Sequence, residues 1–191
     1  MKKNSTFKQI LSVFTVYFVA CLFTFLVMMP IIGAVSSNSA LSACLSVLMV
    51  LVIGVLLLNS SYECAVSDHK SYSTLKPYPL KGFVLALGAI VPIVISGIIH
   101  SVAWKVAPIP EVVATGADIP LGTFWANMLY SFFTAPFWIV INIQGRYASV
   151  AGRIISVTLP AMVCFAGYYL GYIKLDYTKY ISKIMYDKKK K

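Results

Sequence analysis

Apolar and polar stretches alternate along the chain. Residues 10–35, 40–58, 82–104, 121–143 and 154–173 are apolar, and none of these stretches contains Asp, Glu, Lys or Arg. A chain of 191 residues cannot hide that much apolar surface in one water-soluble core. About 20 apolar residues at 1.5 Å rise suffice to cross a hydrocarbon core of about 30 Å. The pattern therefore predicts an integral membrane protein. The expected fold is all-α, a polytopic transmembrane helical bundle built as a single membrane domain over residues 1–191.

The first stretch is long, about 39 Å if helical, and tilt is the low-cost accommodation. Pro30 lies near its outer end, where a kink or a helix stop costs least. Lys2, Lys3 and Lys8 before it imitate a secretory signal, and Phe18-Val19-Ala20-Cys21 imitates a lipoprotein cleavage site. A cleaved signal has an apolar core of about 7–15 residues, so a run that continues through Cys21 to Ile32 reads as an uncleaved first helix. Ser36-Ser37-Asn38-Ser39 is short enough to return the second stretch antiparallel.

The second stretch ends at Asn59, and residues 60–81 read as a cytoplasmic loop with Glu63, Asp68, His69, Lys70 and Lys76. Pro77-Tyr78-Pro79 closes it by holding the backbone extended until Lys81-Gly82. The third stretch contains Pro92, which cannot donate to the carbonyl of Gly88, so a bend is expected there. Residues 105–120 form a proline-rich extracellular connector, with Lys105 against Glu111 and Asp118.

The fourth stretch is ambiguous. Its aromatics, Trp125, Tyr130, Phe132, Phe133, Phe137 and Trp138, are spread along it, where interfacial aromatics normally gather at two ends. Pro136 lies near its middle. It can span, or it can be two short helices that dip in and return. The fifth stretch carries Gly167 and Gly171 in a G-x-x-x-G spacing that brings helices close.

Charge distinguishes the topologies. Residues 174–191 hold seven lysines and two aspartates. With five crossings, one basic flank always lies outside. With four crossings plus a re-entrant or interfacial fourth stretch, both termini and the 60–81 loop are cytoplasmic, leaving Lys105, Arg146 and Arg153 outside. The positive-inside tendency favours four crossings, with five as the alternative. The tail reads as a basic, lipid-facing segment. Tyr177, Tyr180, Ile181 and Ile184 make an apolar stripe, beside Lys179 and Lys183, and Lys188, Lys189, Lys190 and Lys191 close it. The net charge of +10 sits between and after apolar stretches, so its partner is the anionic inner leaflet of a lipid bilayer and not nucleic acid.

Candidate chemistry is sparse. His100 is the ionisable side chain expected at membrane depth, near the outer end and one turn from Ser96. A helix-end imidazole bonded to a carbonyl or water explains it, and replacing it is expected to change little. Serine hydrolysis needs a base on another element and an oxyanion hole, which one helix does not supply. Glu63, Cys64, Asp68 and His69 are metal-ligand residue types without H-E-x-x-H or C-x-x-C spacing, so a solvated loop explains them equally well. Cys21, Cys44, Cys64 and Cys164 form no C-x-x-C pair and read as small apolar fillers. No glycine-rich phosphate loop is present, and neither a cofactor nor a metal is expected.

Lys81-Gly82-Phe83 with Pro92 about ten residues on, Pro160 with Gly167-Tyr168 and Gly171-Tyr172, and the lysine-rich end resemble a group of small multi-pass membrane proteins of Gram-positive bacteria. The resemblance implies a bacterial plasma membrane and no catalytic residues. Three functions remain. The first is a non-enzymatic accessory subunit working with another membrane protein. The alternative is a small-molecule transport subunit like those of vitamin importers, with Trp125, Asn127, Tyr130 and Trp138 lining the ligand site. A membrane enzyme using residues 60–81 ranks last.

With four crossings, single cysteines at Ser5 and Ser182, in a chain lacking the native four, should both be protected from an impermeant thiol reagent on intact cells. Labelling at Ser182 with protection at Ser5 would establish an odd number of crossings.

Overall fold

The computed structural model describes residues 5–34, 39–70, 75–106, 120–137 and 150–173. These fold as α1 (Thr6–Phe23), a π-helical turn (Thr24–Met28), α2 (Met29–Ala34), α3 (Ser39–Asp68), α4 (Lys81–Val106), α5 (Leu121–Thr134), a 3-10 turn (Ala135–Phe137) and α6 (Val150–Tyr172). Among the described residues all regular structure is helical. Also among the described residues, four segments are long and apolar enough to cross a membrane: Thr6–Val27, Ala43–Asp68, Lys81–Lys105 and Gly152–Tyr172.

The bundle is built for an apolar solvent. Leu51, Val55, Ile98, Val102 and Met162 face outward, while Gln9, Thr24, Ser61, Asp68, Lys81 and Ser156 are buried. Several serine and threonine hydroxyls within the helices are satisfied by their own helix. Thr24 donates to the Ala20 carbonyl at 2.8 Å and Thr134 to the Tyr130 carbonyl. Such back-bonding satisfies hydroxyls that the bundle encloses away from water.

Pro30 acts one turn earlier than its own position. Its ring excludes the Leu26 carbonyl from an ordinary i→i−4 bond, and the chain widens into the π-helical turn there before resuming as α2. At α4, Pro92 lies within one continuous helix. Gly88 also permits close packing. A Cβ there would lie 2.5 Å from the Ile10 carbonyl oxygen and 2.8 Å from the Phe14 nitrogen, so its absence lets α1 cross against α4.

The most extensive contact pairs α3 with α6. The G-x-x-x-G residues lie on this face. A Cβ on Gly167 would collide with the Leu58 backbone, and one on Gly171 would lie 2.7 Å from the Ala65 methyl.

One sequence expectation needs correction, and another is met. The loop assigned to residues 60–81 is shorter, because α3 continues to Asp68. Asn59 donates to the Glu63 carboxylate at 3.1 Å, an i,i+4 pair that supports the helix where polar residues suggested it had ended. The fourth stretch, as the four-crossing reading expected, does not supply a spanning helix: it starts as α5, a helix of 14 residues, or about 21 Å, which is too short to span. It follows the C-terminal end of α4 in the chain, and α6 starts at that same end of the bundle, where Arg153 meets Ser101. The chain between α4 and α6 therefore leaves from and returns to one face. Its tip reaches the middle of the bundle: Phe137 packs with Ile53 and Leu57, and the Tyr17 hydroxyl donates to the Phe133 carbonyl. The basic tail, residues 174–191, and most of the 105–120 connector lie outside the described residues.

Gly167→Leu should destabilise the protein, at or above the upper end of the ~1–3 kcal/mol typical of overpacking. Gly54→Leu, where a Cβ meets nothing within 4 Å, should leave thermal unfolding in detergent within a degree or two of wild type.

Candidate functional site

Two polar constellations lie at opposite ends of the bundle. At the end that holds the start of α1 and the end of α6, the Asp68 carboxylate is fully buried. Lys81 Nζ lies 2.6 Å from its Oδ2. Tyr168 donates its hydroxyl to the same oxygen at 2.7 Å, and Gln9 Nε2 donates to Oδ1 at 2.7 Å. Each of the four long helices thus contributes one member. The Lys81 ammonium also lies 5.9 Å from the centre of the Tyr168 ring. His69, just past α3, contacts the Tyr172 carbonyl at 3.0 Å and closes the same corner.

This arrangement corrects the picture of a solvated, charged loop, and of His100 as the sole ionisable group within the bundle. The acid and the lysine flank a short connector, so they appeared as loop charges. Folding brings the last turn of α3 beside the first residue of α4 and encloses both. The metal-ligand residue types nearby are not gathered: among the described residues no group of three His, Cys, Asp or Glu side chains is placed to hold an ion.

The second constellation is a cavity of about 330 Å³ between α4, α5 and α6. Ile93, Val94, Ile98 and Val157 make its apolar wall. Its polar end is Arg153, Ser101, Ser156 and Lys105, with Tyr130 as one side. Arg153 Nη1 donates to the Ser101 hydroxyl at 2.8 Å, and that hydroxyl donates to the Gly97 carbonyl at 2.7 Å. The guanidinium also sits 5.8 Å from the centre of the Tyr130 ring. Tyr130 is held from behind by His100, whose ring stacks on it at 4.6 Å, and Trp104 follows at 5.3 Å from His100.

Of the candidate ligand residues, Tyr130 lines this cavity and Asn127 lies beside His100 one turn earlier. Trp125 is 57% exposed on the opposite face of α5, so it does not converge with them. Trp138 lies outside the described residues. His100 is only 3% exposed and packed between two aromatic rings, so it is more than a helix-end imidazole. Ser96 is not its partner, because that hydroxyl donates to the Ile93 carbonyl of its own helix at 3.0 Å. Sequence reasoning missed Arg153, counting it only as an external charge. The available signal was its place in the first turn of an apolar helix, where a long cation can fold back along the bundle.

No protein-family model, no characterised protein and no solved structure matches this chain. The likeness to small Gram-positive membrane proteins therefore assigns no role to any residue of either constellation.

Removing one member of the buried pair strands the other. Asp68→Leu or Lys81→Met alone should cost about 3–5 kcal/mol, whereas the double substitution should recover most of that loss. Unfolding of the three variants in detergent checks this, and a loss in the double variant equal to the sum of the two single losses would show that the pair is not coupled.

Proposed function

We propose that the protein is a non-enzymatic component of a bacterial plasma membrane that holds a small molecule in the cavity between α4, α5 and α6. The observation that carries this reading is the cavity itself. Its volume, about 330 Å³, lies within the ~300–1,000 Å³ of typical ligand pockets. Its composition also fits that class: mostly apolar walls with a few convergent polar groups at one end. Ile98 and Val102 on its rim are each 60% exposed, so the mouth opens sideways, toward lipid in the proposed orientation.

Of the readings from sequence, this favours the ligand-holding subunit over a purely structural accessory. The chain has no glycine-rich phosphate loop, so ATP-driven movement of a ligand across the membrane would require a separate ATPase. Both termini are assigned to the cytoplasm. The basic residues at 2, 3 and 8 and in 174–191 support this, because each contributes about 1 kcal/mol of attraction near an anionic leaflet. The contacts of Gln9 and Tyr168 with Asp68 support a common end for the start of α1 and the end of α6. The cavity then belongs to the outer half of the bundle.

Gly97 forms part of the cavity floor, with the Tyr130 ring 3.7 Å from where its Cβ would lie. Gly97→Phe should fill the space. Native mass spectrometry of the full chain, extracted in mild detergent, should show a small-molecule adduct on wild type that the variant lacks. Adduct-free spectra for wild type, or an adduct indifferent to Gly97→Phe, would refute the binding role.

A further inference from the structure

We infer that the molecule held in this cavity is an amphipathic anion, with a carboxylate or phosphate head on Arg153 and an apolar body along Ile93, Ile98 and Val157. The inference rests on the binding role proposed above and names the chemistry of the ligand.

The argument begins with an asymmetry inside the bundle. Both ends bring a cation into a largely apolar interior. At one end Lys81 is compensated by Asp68 at 2.6 Å. At the other, no carboxylate among the described residues pairs with Arg153, and its Nε is buried without a hydrogen-bond partner. Arginine stays protonated under all ordinary conditions and carries five N–H donors, of which Ser101 takes one. A buried donor left unmade, beside a full charge, is costly. An acidic group from outside the chain would remove that cost.

The geometry also prepares the guanidinium for such a group. Ser101 and the Tyr130 ring fix its position, so little side-chain freedom remains to be lost on binding. Lys105 stands one helical turn beyond Ser101 at the same mouth, also without a carboxylate among the described residues, and adds a second positive charge. The remaining wall is apolar, which a free inorganic anion would leave uncovered. An acid with an apolar body fills both parts, and the sideways mouth admits it from the plane of the bilayer. Two sources share this chemistry: an anionic lipid of the membrane, or an organic acid that partitions into it.

The test uses two matched pairs of probes on the full chain in an uncharged detergent, read by native mass spectrometry. Decanoate is compared with decanol, and phosphatidylglycerol with phosphatidylcholine. The anionic member of at least one pair should bind about tenfold tighter or more, as expected for charge-assisted hydrogen bonds. Preference within the lipid pair would identify membrane lipid as the source, and preference within the decanoate pair alone a dissolved acid. Arg153→Gln should abolish the preference, and Arg153→Lys, which keeps the charge and guards against misfolding, should retain part of it. Equal binding within both pairs, or a preference unchanged in Arg153→Gln, would overturn the inference. The binding role would survive that result if Gly97→Phe still displaced the uncharged probes, so the two failures are distinguishable.

Discussion

Asp68 ends α3 inside the protein, away from water, and a carboxylate there persists only if donors are brought to it. Three other helices each bring one: the Gln9 amide from α1, the Lys81 ammonium from α4 and the Tyr168 hydroxyl from α6. In an apolar solvent nothing else can satisfy these groups, so the penalty for misplacing any helix is large. Nonpolar contact between helices in lipid discriminates poorly, since lipid tails are as apolar as leucine. The Asp68 cluster supplies the missing specificity. It fixes the rotation and depth of all four long helices at one end.

With that end fixed, close approach does the rest. Gly88 and Gly167 remove the side chains that would keep α1 from α4 and α3 from α6. Dispersion then acts over backbone-to-backbone distances. Toward the other end the helices make room for α5 and its terminal turn, which carry Phe137 into the shared core beside Ile53 and Leu57. A short wedge cannot fill the whole length it opens. The space left beside it, between α4 and α6, is the cavity that Arg153 enters.

The two polar constellations therefore follow from one design. Where the helices converge tightly, buried charge is neutralised within the chain. Where a short element holds them apart, a cation remains uncompensated by the described residues, and there is volume beside it. The first arrangement stabilises and orients the bundle. The second is suited to binding, because its charge can be completed by a molecule from outside.

What the sequence by itself determined is the solvent and the class of fold. Stretches without a charged residue admit only helices in lipid, and the basic residues of 1–8 and 174–191 favour an even number of crossings. Gly167 and Gly171 were legible as a candidate close-packing face because small residues at i and i+4 let two helix backbones approach. The cluster and the cavity were not legible in the same way. Asp68 and Lys81 sit at helix ends, where sequence alone cannot separate a solvated loop charge from an enclosed one. Asn59 to Glu63 looked like the start of a loop because polarity, unlike proline, does not stop a helix. Trp125 and Tyr130 looked alike on α5, yet one faces outward and the other lines the cavity, since the rotation of a helix follows from what packs against it. Those decisions belong to the tertiary structure: burial, pairing and vacancy are relations between helices distant in sequence, and no single stretch of residues contains them.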